Sequence, residues 1–446
     1  MKKMRHLSFF LPLAAFAAAG SSAVAAVPVV QSVELSQDRD DDRTVTVRYA
    51  LTEDAVVTVD FQTNAVSDAS GEWVSVGAGN FTSVTGDVNR FVRKTAGDER
   101  RVLTWPARAD WPDVRAKNFR AVVTAWAKDS PPDYMLIDLT TKSNVTYYVS
   151  ADALPFGSVT NRIYKDQYMV FRRIPAAGKV TDIGVPYLDY IKKVQGATWS
   201  SSTRENERSH RVMLTRDYYI GVYEVTEAQY ARIDGSTVPD SRLPKTYVYY
   251  RTLRGTTKGC AFPAFDANGD FDFEASYAVD ANSWFDKFRK RSGLAWLDLP
   301  TEAQWFIAAM AGDRSGIIYN NLSFSEGNMN LVARWSKTTQ TEDCEGKTGY
   351  SKATVGTYAA NAYGLYDVIG NASEHMLDYY EDWTGIDQTK VFVDPVGPAT
   401  SSSNARVSSW GNQTEGLGWA YLGHRTSVVL GNEAGNDGFR VAMHLW

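Results

Sequence analysis

Asp367, Asn371 and Glu374 put three oxygen-bearing side chains within eight residues, around Gly370. Carboxylates and backbone carbonyls are the donors that hard cations such as Ca2+ take. The same spacing has a second meaning. Asn371 followed three residues later by Glu374, ahead of Met376-Leu377, has the pattern of a capping box at a helix start. Another set lies further on, in "ARVSSWGNQTEGL", residues 405–417. Small residues and a Trp run into a polar turn with no cysteine, no histidine and one carboxylate, Glu415. Trp410, Asn412, Gln413, Trp419, Tyr421, His424 and Arg425 make a mixed aromatic and amide set. Aromatic faces with amide and guanidinium donors suit peptides, sugars and other polar ligands. The same residues also suit the packing of C-terminal loops, Trp410 and Arg425 above all.

Other reactive groups are few. Past residue 26 the histidines are His210, His375, His424 and His444, and none form an H-x3-H pair. His210 reads as a structural histidine, His375 as partly buried beside Tyr379, and His424 as a site candidate. The two cysteines, Cys260 and Cys344, allow either one disulfide or two separate thiols. A disulfide would close a long loop and contribute about 4 kcal/mol. The net charge of -5, with no basic run, argues against a nucleic-acid partner.

These residues need elements to hold them. Residues 1–26 read as a secretory signal peptide: a basic MKKMRH, a short apolar run and an Ala23-Val24-Ala25 cleavage signal. The expected location is therefore secreted or periplasmic, with no transmembrane anchor in the mature chain. Residues 27–145 read as an all-β sandwich of immunoglobulin or fibronectin type, from alternating runs such as Thr44–Tyr49, Val57–Phe61 and Phe119–Trp126. Asp38–Arg43 reads as a solvated hairpin turn, with a calcium loop as the alternative. Ser130-Pro131-Pro132-Asp133 has linker composition, but a strand at Tyr134–Ile137 follows it, which places the boundary near 142–160. From 160 to 446 short strands alternate with helical periodicity at Thr226–Ile233, Ala281–Arg291 and Thr301–Ala311. Thr301-Glu302 after Pro300 is a good helix opening, with an acid in the first turn. The fold class is α+β.

Residues 160–446 resemble the formylglycine-generating enzyme, or sulfatase-modifying factor, family, whose fold is a variant of the C-type lectin fold. The resemblance rests on ordered segments: Ile174-Pro175-Ala176-Ala177-Gly178, Tyr223-Glu224-Val225-Thr226 with Gln229-Tyr230, Leu299-Pro300-Thr301-Glu302-Ala303-Gln304-Trp305, Asn361 to Asn371, and Gly438-Phe439-Arg440. It implies calcium held by Asp367, Gly370, Ala372 and Glu374, the middle two through carbonyls. The family's oxidases hold copper(I) between two cysteines five positions apart, after an RGGS(F/W) segment. Here that segment is Arg406-Val407-Ser408-Ser409-Trp410, and an ungapped count puts Asn412 and Leu417 at the cysteine positions. Arg425 and Gly438 fall where the family carries them, so the count is fixed at both ends. An amide and an isobutyl group cannot hold copper(I), a soft ion that needs soft ligands. The family's iron-dependent branch takes ligands from an additional helical domain that this sequence lacks. The expectation is an exported module that binds a protein, peptide or glycan ligand, without copper. The alternative is a sulfatase-modifying-type enzyme with altered catalytic residues.

Overall fold

A computed structural model describes residues 26–38, 42–66, 68–113, 116, 118–185, 205–313, 317–336, 351–401, 405–409, 420–429 and 436–445. Toward the N-terminus two antiparallel sheets enclose one core. The first has the order Val30–Gln37, Thr44–Leu51, Arg101–Pro106, Thr85–Gly86. In the second, Ala55–Asn64 pairs with Asn118–Trp126 over nearly its whole length and with Val74–Ser75 and Arg90–Val92 at its two ends. Period-two alternation explains the enclosure. Val45, Val47 and Tyr49 turn inward, while Thr44, Thr46 and Arg48 between them do not. Phe61 closes the core, stacked on Trp105 at 4.7 Å and on Phe119 at 5.3 Å between centroids.

Beyond this lies a six-stranded antiparallel sheet in the order Val145–Tyr148, Tyr134–Asp138, Tyr168–Ile174, Tyr218–Gly221, Ala442–His444, Leu297–Asp298. Both faces are covered. Met135, Ile137, Met169, Phe171 and Tyr219 enter one core, and Leu136, Val170, Tyr218 and Ile220 enter the other. Adjacent residues therefore serve opposite layers. The sequence placed Tyr134–Ile137 before the domain boundary. Its hydrogen bonds run the other way: Tyr134–Asp138 pairs with Tyr168–Ile174 at five positions, and Val145–Tyr148 adds outside it. The N-terminal sheets abut this one through Val56 and Trp126, which pack on the Met135 core.

Three helices form where local signals call for them. Glu227–Asp234 and Glu302–Met310 each open on a full capping box, Thr226/Gln229 and Thr301/Gln304. Trp284–Ser292 opens on Ser283 and stops at Gly293 in the left-handed region. The capping box expected at Asn371 does not form, because Ser373–Tyr379 is a strand. That strand pairs with Ala405–Ser409 and Asp437–Gly438, and Ala405–Ser409 pairs in turn with Arg425–Val429. This four-stranded sheet, order Arg425–Val429, Ala405–Ser409, Ser373–Tyr379, Asp437–Gly438, carries two of the predicted site residues, Glu374 and Arg425.

Candidate functional site

Around Gly370 the backbone turns through three left-handed residues, Asp367, Gly370 and Asn371. Gly370 is required there. A Cβ at this position would sit 2.2 Å from the Arg334 carbonyl oxygen, and φ is already +83°. The close approach lets Asn371 N–H donate to that carbonyl at 2.8 Å. The Asn371 amide is then spent inside the fold: it donates to Glu224 at 2.7 Å and accepts from Ala353 N–H at 3.0 Å. Ala372 N–H donates to the other oxygen of Glu224 at 2.8 Å.

Glu224, Asp367 and Glu374 are all buried, so this pocket of the core holds three carboxylates. Arg440 faces Glu374 with two parallel bonds of 2.7 Å, and Trp305 Nε1 donates to the same carboxylate at 2.6 Å. Asp367 accepts from Gly356 N–H at 2.6 Å on Oδ2, while Oδ1 is buried with no partner among the described residues. Burial pushes Asp367 up to about 6 and Glu224 well above the usual carboxylate range, the latter with help from its two acidic neighbours. The buried Lys165 acts on Asp367 in the opposite sense. The donor set is all oxygen and has one orphaned oxygen, features that fit a hard cation at Asp367. Glu374 would have to share oxygens that Arg440 and Trp305 already hold.

The second predicted set lies partly outside the described residues: Trp410, Asn412, Gln413, Trp419 and the second copper position, Leu417, are not among them. Its described members turn inward. Tyr421 and His424 both bind Glu207, a fully buried carboxylate, through the phenol and Nδ1. Arg425 forms a fork with Glu302 at 2.5 and 2.9 Å and donates to the carbonyls of Asn206 and Glu381. Four of its five N–H donors are thus taken. Its plane lies 3.8 Å from the Trp383 ring centroid and 4.4 Å from that of Tyr380. Arg425, named from sequence both as a binding candidate and as a packing residue, here fixes the strand end. The partners Glu207 and Glu302 were not paired with these residues from sequence, and over 100 residues of chain separate each pair. The register Ser409↔Arg425 brings together the two ends of the segment that links them, residues 410–424. Both ends are fixed, by Arg425 on one side and by Ser409 Oγ, which accepts from Glu374 N–H at 3.0 Å, on the other.

Of the remaining histidines, His210 is buried edge-on to Trp383 at 4.3 Å, and burial holds it down to about 4, so it is neutral. His375 is fully rather than partly buried, with Nε2 2.9 Å from the Val248 carbonyl oxygen. Cys260 is a free thiol whose Sγ lies 3.2 Å from the Gly255 carbonyl oxygen; Cys344 lies outside the described residues.

Comparison with known proteins follows this geometry. Residues 192–445, more than half of the chain, match the family described as sulfatase-modifying factor enzyme 1-like domain. A formylglycine-generating enzyme of Thermomonospora curvata is 36% identical over 117 residues, 26% of this chain and 37% of that protein. The serine/threonine-protein kinase pkn1 of Chlamydia pneumoniae is 27% identical over 275 residues, 58% of this chain and 39% of the kinase. The chain therefore spans well under half the length of these curated relatives. Among solved structures, Treponema denticola variable protein 1 aligns with TM-score 0.40 at 20% identity, covering 62% of this chain and 95% of that one. PvdO from Pseudomonas aeruginosa aligns with TM-score 0.43 at 17% identity, covering 62% and 94%. The motifs, their order and the matched span give one conclusion: this chain belongs to the sulfatase-modifying factor enzyme 1-like family.

Proposed function

We propose that this chain is an exported binding protein, built on a formylglycine-generating-enzyme-like domain that has no copper oxidase chemistry. One observation carries the reading. Asn412 and Leu417 stand at the two copper-thiolate positions, in a count tied to Arg425 and Gly438. The fixed strand ends support it, since a segment held at both ends, with four Gly and two Trp between residues 410 and 424, suits a binding surface. Trp410, Asn412 and Trp419 are its proposed contacts, for a peptide, protein or glycan ligand. Tyr421, His424 and Arg425 act behind them by fixing the segment's end. The N-terminal sheets are an immunoglobulin- or fibronectin-like sandwich ending near 127–133, after a cleaved leader over residues 1–26. Calcium at Asp367, with carbonyls of Gly370 and Ala372 and a shared Glu374 oxygen, holds the base of the site.

The test is an anaerobic copper(I) titration together with an assay on a Cys-x-Pro-x-Arg peptide. No tight copper binding and no aldehyde are expected. Either signal would instead support the alternative, a sulfatase-modifying-type enzyme with altered catalytic residues.

A further inference from the structure

A cavity of about 230 Å³ opens beside the N-terminal end of the helix Glu302–Met310, next to the strand Ser373–Tyr379. Arg425, at the end of the segment discussed above, holds one of the cavity's lining residues, Glu302. Its walls are apolar, chiefly Trp383, Phe392, Ile183 and Val396. An apolar cavity of about 150 Å³ is enough to hold a benzene ring. This one has room for a ring and a short tail.

The polar groups that line it are acceptors. Asp378 is buried, and its Oδ2 accepts from Glu302 N–H at 2.7 Å. Oδ1 faces Gly397, where a Cβ would come within 3.4 Å of that oxygen and 3.1 Å of the Tyr379 carbonyl; glycine keeps this side uncovered. His210 is neutral. With Nδ1 donating to the Arg208 carbonyl at 3.3 Å, Nε2 is left as an acceptor. Glu381 stands at the exposed rim. Glu302 also lines the cavity, but Arg425 holds both its oxygens. The cations nearby are spent elsewhere. Arg425 is forked on Glu302, and Arg406 donates to the carbonyls of Phe262, Leu377 and Cys260 and stacks on Tyr379. An anionic ligand would meet carboxyl groups and no cation among the lining residues.

We propose that this cavity binds a small arylalkyl amine, with its ring between Trp383 and Phe392 and its N–H donors on Asp378 and His210. Each part of such a ligand matches a part of the site: ring to apolar wall, donors to acceptors, positive charge to an acidic rim.

The experiment titrates 2-phenylethylamine into the full chain by calorimetry at about pH 8.5, because burial and the neighbouring Glu302 push Asp378 up to about 8. The expected result is one saturable site. Binding of 2-phenylethanol, which keeps the body and lacks the ammonium, should be at least about tenfold weaker, and phenylacetate should not bind. Val396→Trp fills the cavity and should abolish binding with the thermal midpoint retained. Asp378→Asn keeps an acceptor for Glu302 N–H and should weaken the amine about tenfold while leaving the alcohol unchanged. Absence of saturable amine binding overturns the proposal. So does alcohol or acid binding equal to the amine, or undiminished binding in a folded Val396→Trp protein. If Asp378→Asn does not fold, the ligand series and Val396→Trp still decide.

Discussion

Two buried arginine–carboxylate forks organise this domain, and they differ in their surroundings. Arg440 meets Glu374 beside two further buried carboxyl groups, Glu224 and Asp367, and its other donors go to the carbonyls of Gly221 and Tyr366. Arg425 meets Glu302 between the faces of Tyr380 and Trp383. Buried carboxyl groups crowd both forks, but differently. Beside Arg440 stand Glu224 and Asp367, with the buried Lys165 acting on Asp367; beside Arg425 stands Asp378, which accepts from Glu302 N–H. The same pair of side chains thus does different work: one sits next to an oxygen of Asp367 that has no partner among the described residues, the other has π-faces to spare and fixes a strand end.

The comparison breaks most visibly at Arg440. Arg440→Met keeps the volume but takes the paired cation from Glu374 and leaves Lys165 as the cation acting on Asp367. Removing one partner of a buried pair costs about 3–5 kcal/mol, because the other charge stays buried. Urea denaturation should show a loss of that size, and a loss below about 1 kcal/mol would mean that the cluster is neutral in the folded state.

Calcium tests the site at Asp367. In EGTA, Asp367→Asn should be no less stable than the parent, since it removes a buried carboxylate with one orphaned oxygen. In calcium the order should reverse. At a free concentration of about a hundred times Kd, binding adds about 2.7 kcal/mol to the parent and little to the variant. A parent whose thermal midpoint is the same in calcium and in EGTA rules out the site.

At the second fork the effect should be smaller. Arg425→Lys keeps the charge and loses the planar two-bond contact with Glu302 and the stacking on Trp383. About 1.5–2 kcal/mol should be lost, on the scale of hydrogen bonds to charged groups. Because the cation remains, a loss as large as that of Arg440→Met would show that the two sites do not differ as described.

Local features of the fold were legible, and distant ones were not. Thr226, Ser283 and Thr301 announce their helices because an N-cap bonds within its own first turn. Asn371 and Glu374 offered the same local sign. It failed because Asn371 spends its amide on Glu224, 147 residues away, and Glu374 spends its carboxylate on Arg440. Strand propensity identified Tyr134–Ile137 as extended, but period-two alternation is silent about which neighbour a strand joins. His424 looked available because nothing near it in sequence marks Glu207 as its partner. The family motifs fared better, since each fixes several residues at once.

The smallest effect is a slope rather than a step. Burial first, and then Glu302, push Asp378 up to about 8, from an ordinary value of 3.8. The folded protein therefore holds a proton there that the unfolded chain has already released. Stability from this group is fully present at low pH and is lost as pH rises toward 8, at a rate of up to about 1.4 kcal/mol per unit. Glu224, pushed well above the usual carboxylate range, acts in the same direction but equally in parent and variant. His210, held down to about 4, makes stability rise with pH up to its unfolded value of 6.5. Asp280, held down to about 2 by the Thr257 hydroxyl and by N–H donors from Thr256 to Gly259, acts only in acid. Between about pH 6.5 and 8 the parent should thus lose stability faster than Asp378→Asn, which has no proton to release. Urea midpoints at the two ends of that window give the difference in slopes. Parallel slopes would mean that Asp378 is ionised throughout, and that the cavity it faces is wetter than its apolar walls imply.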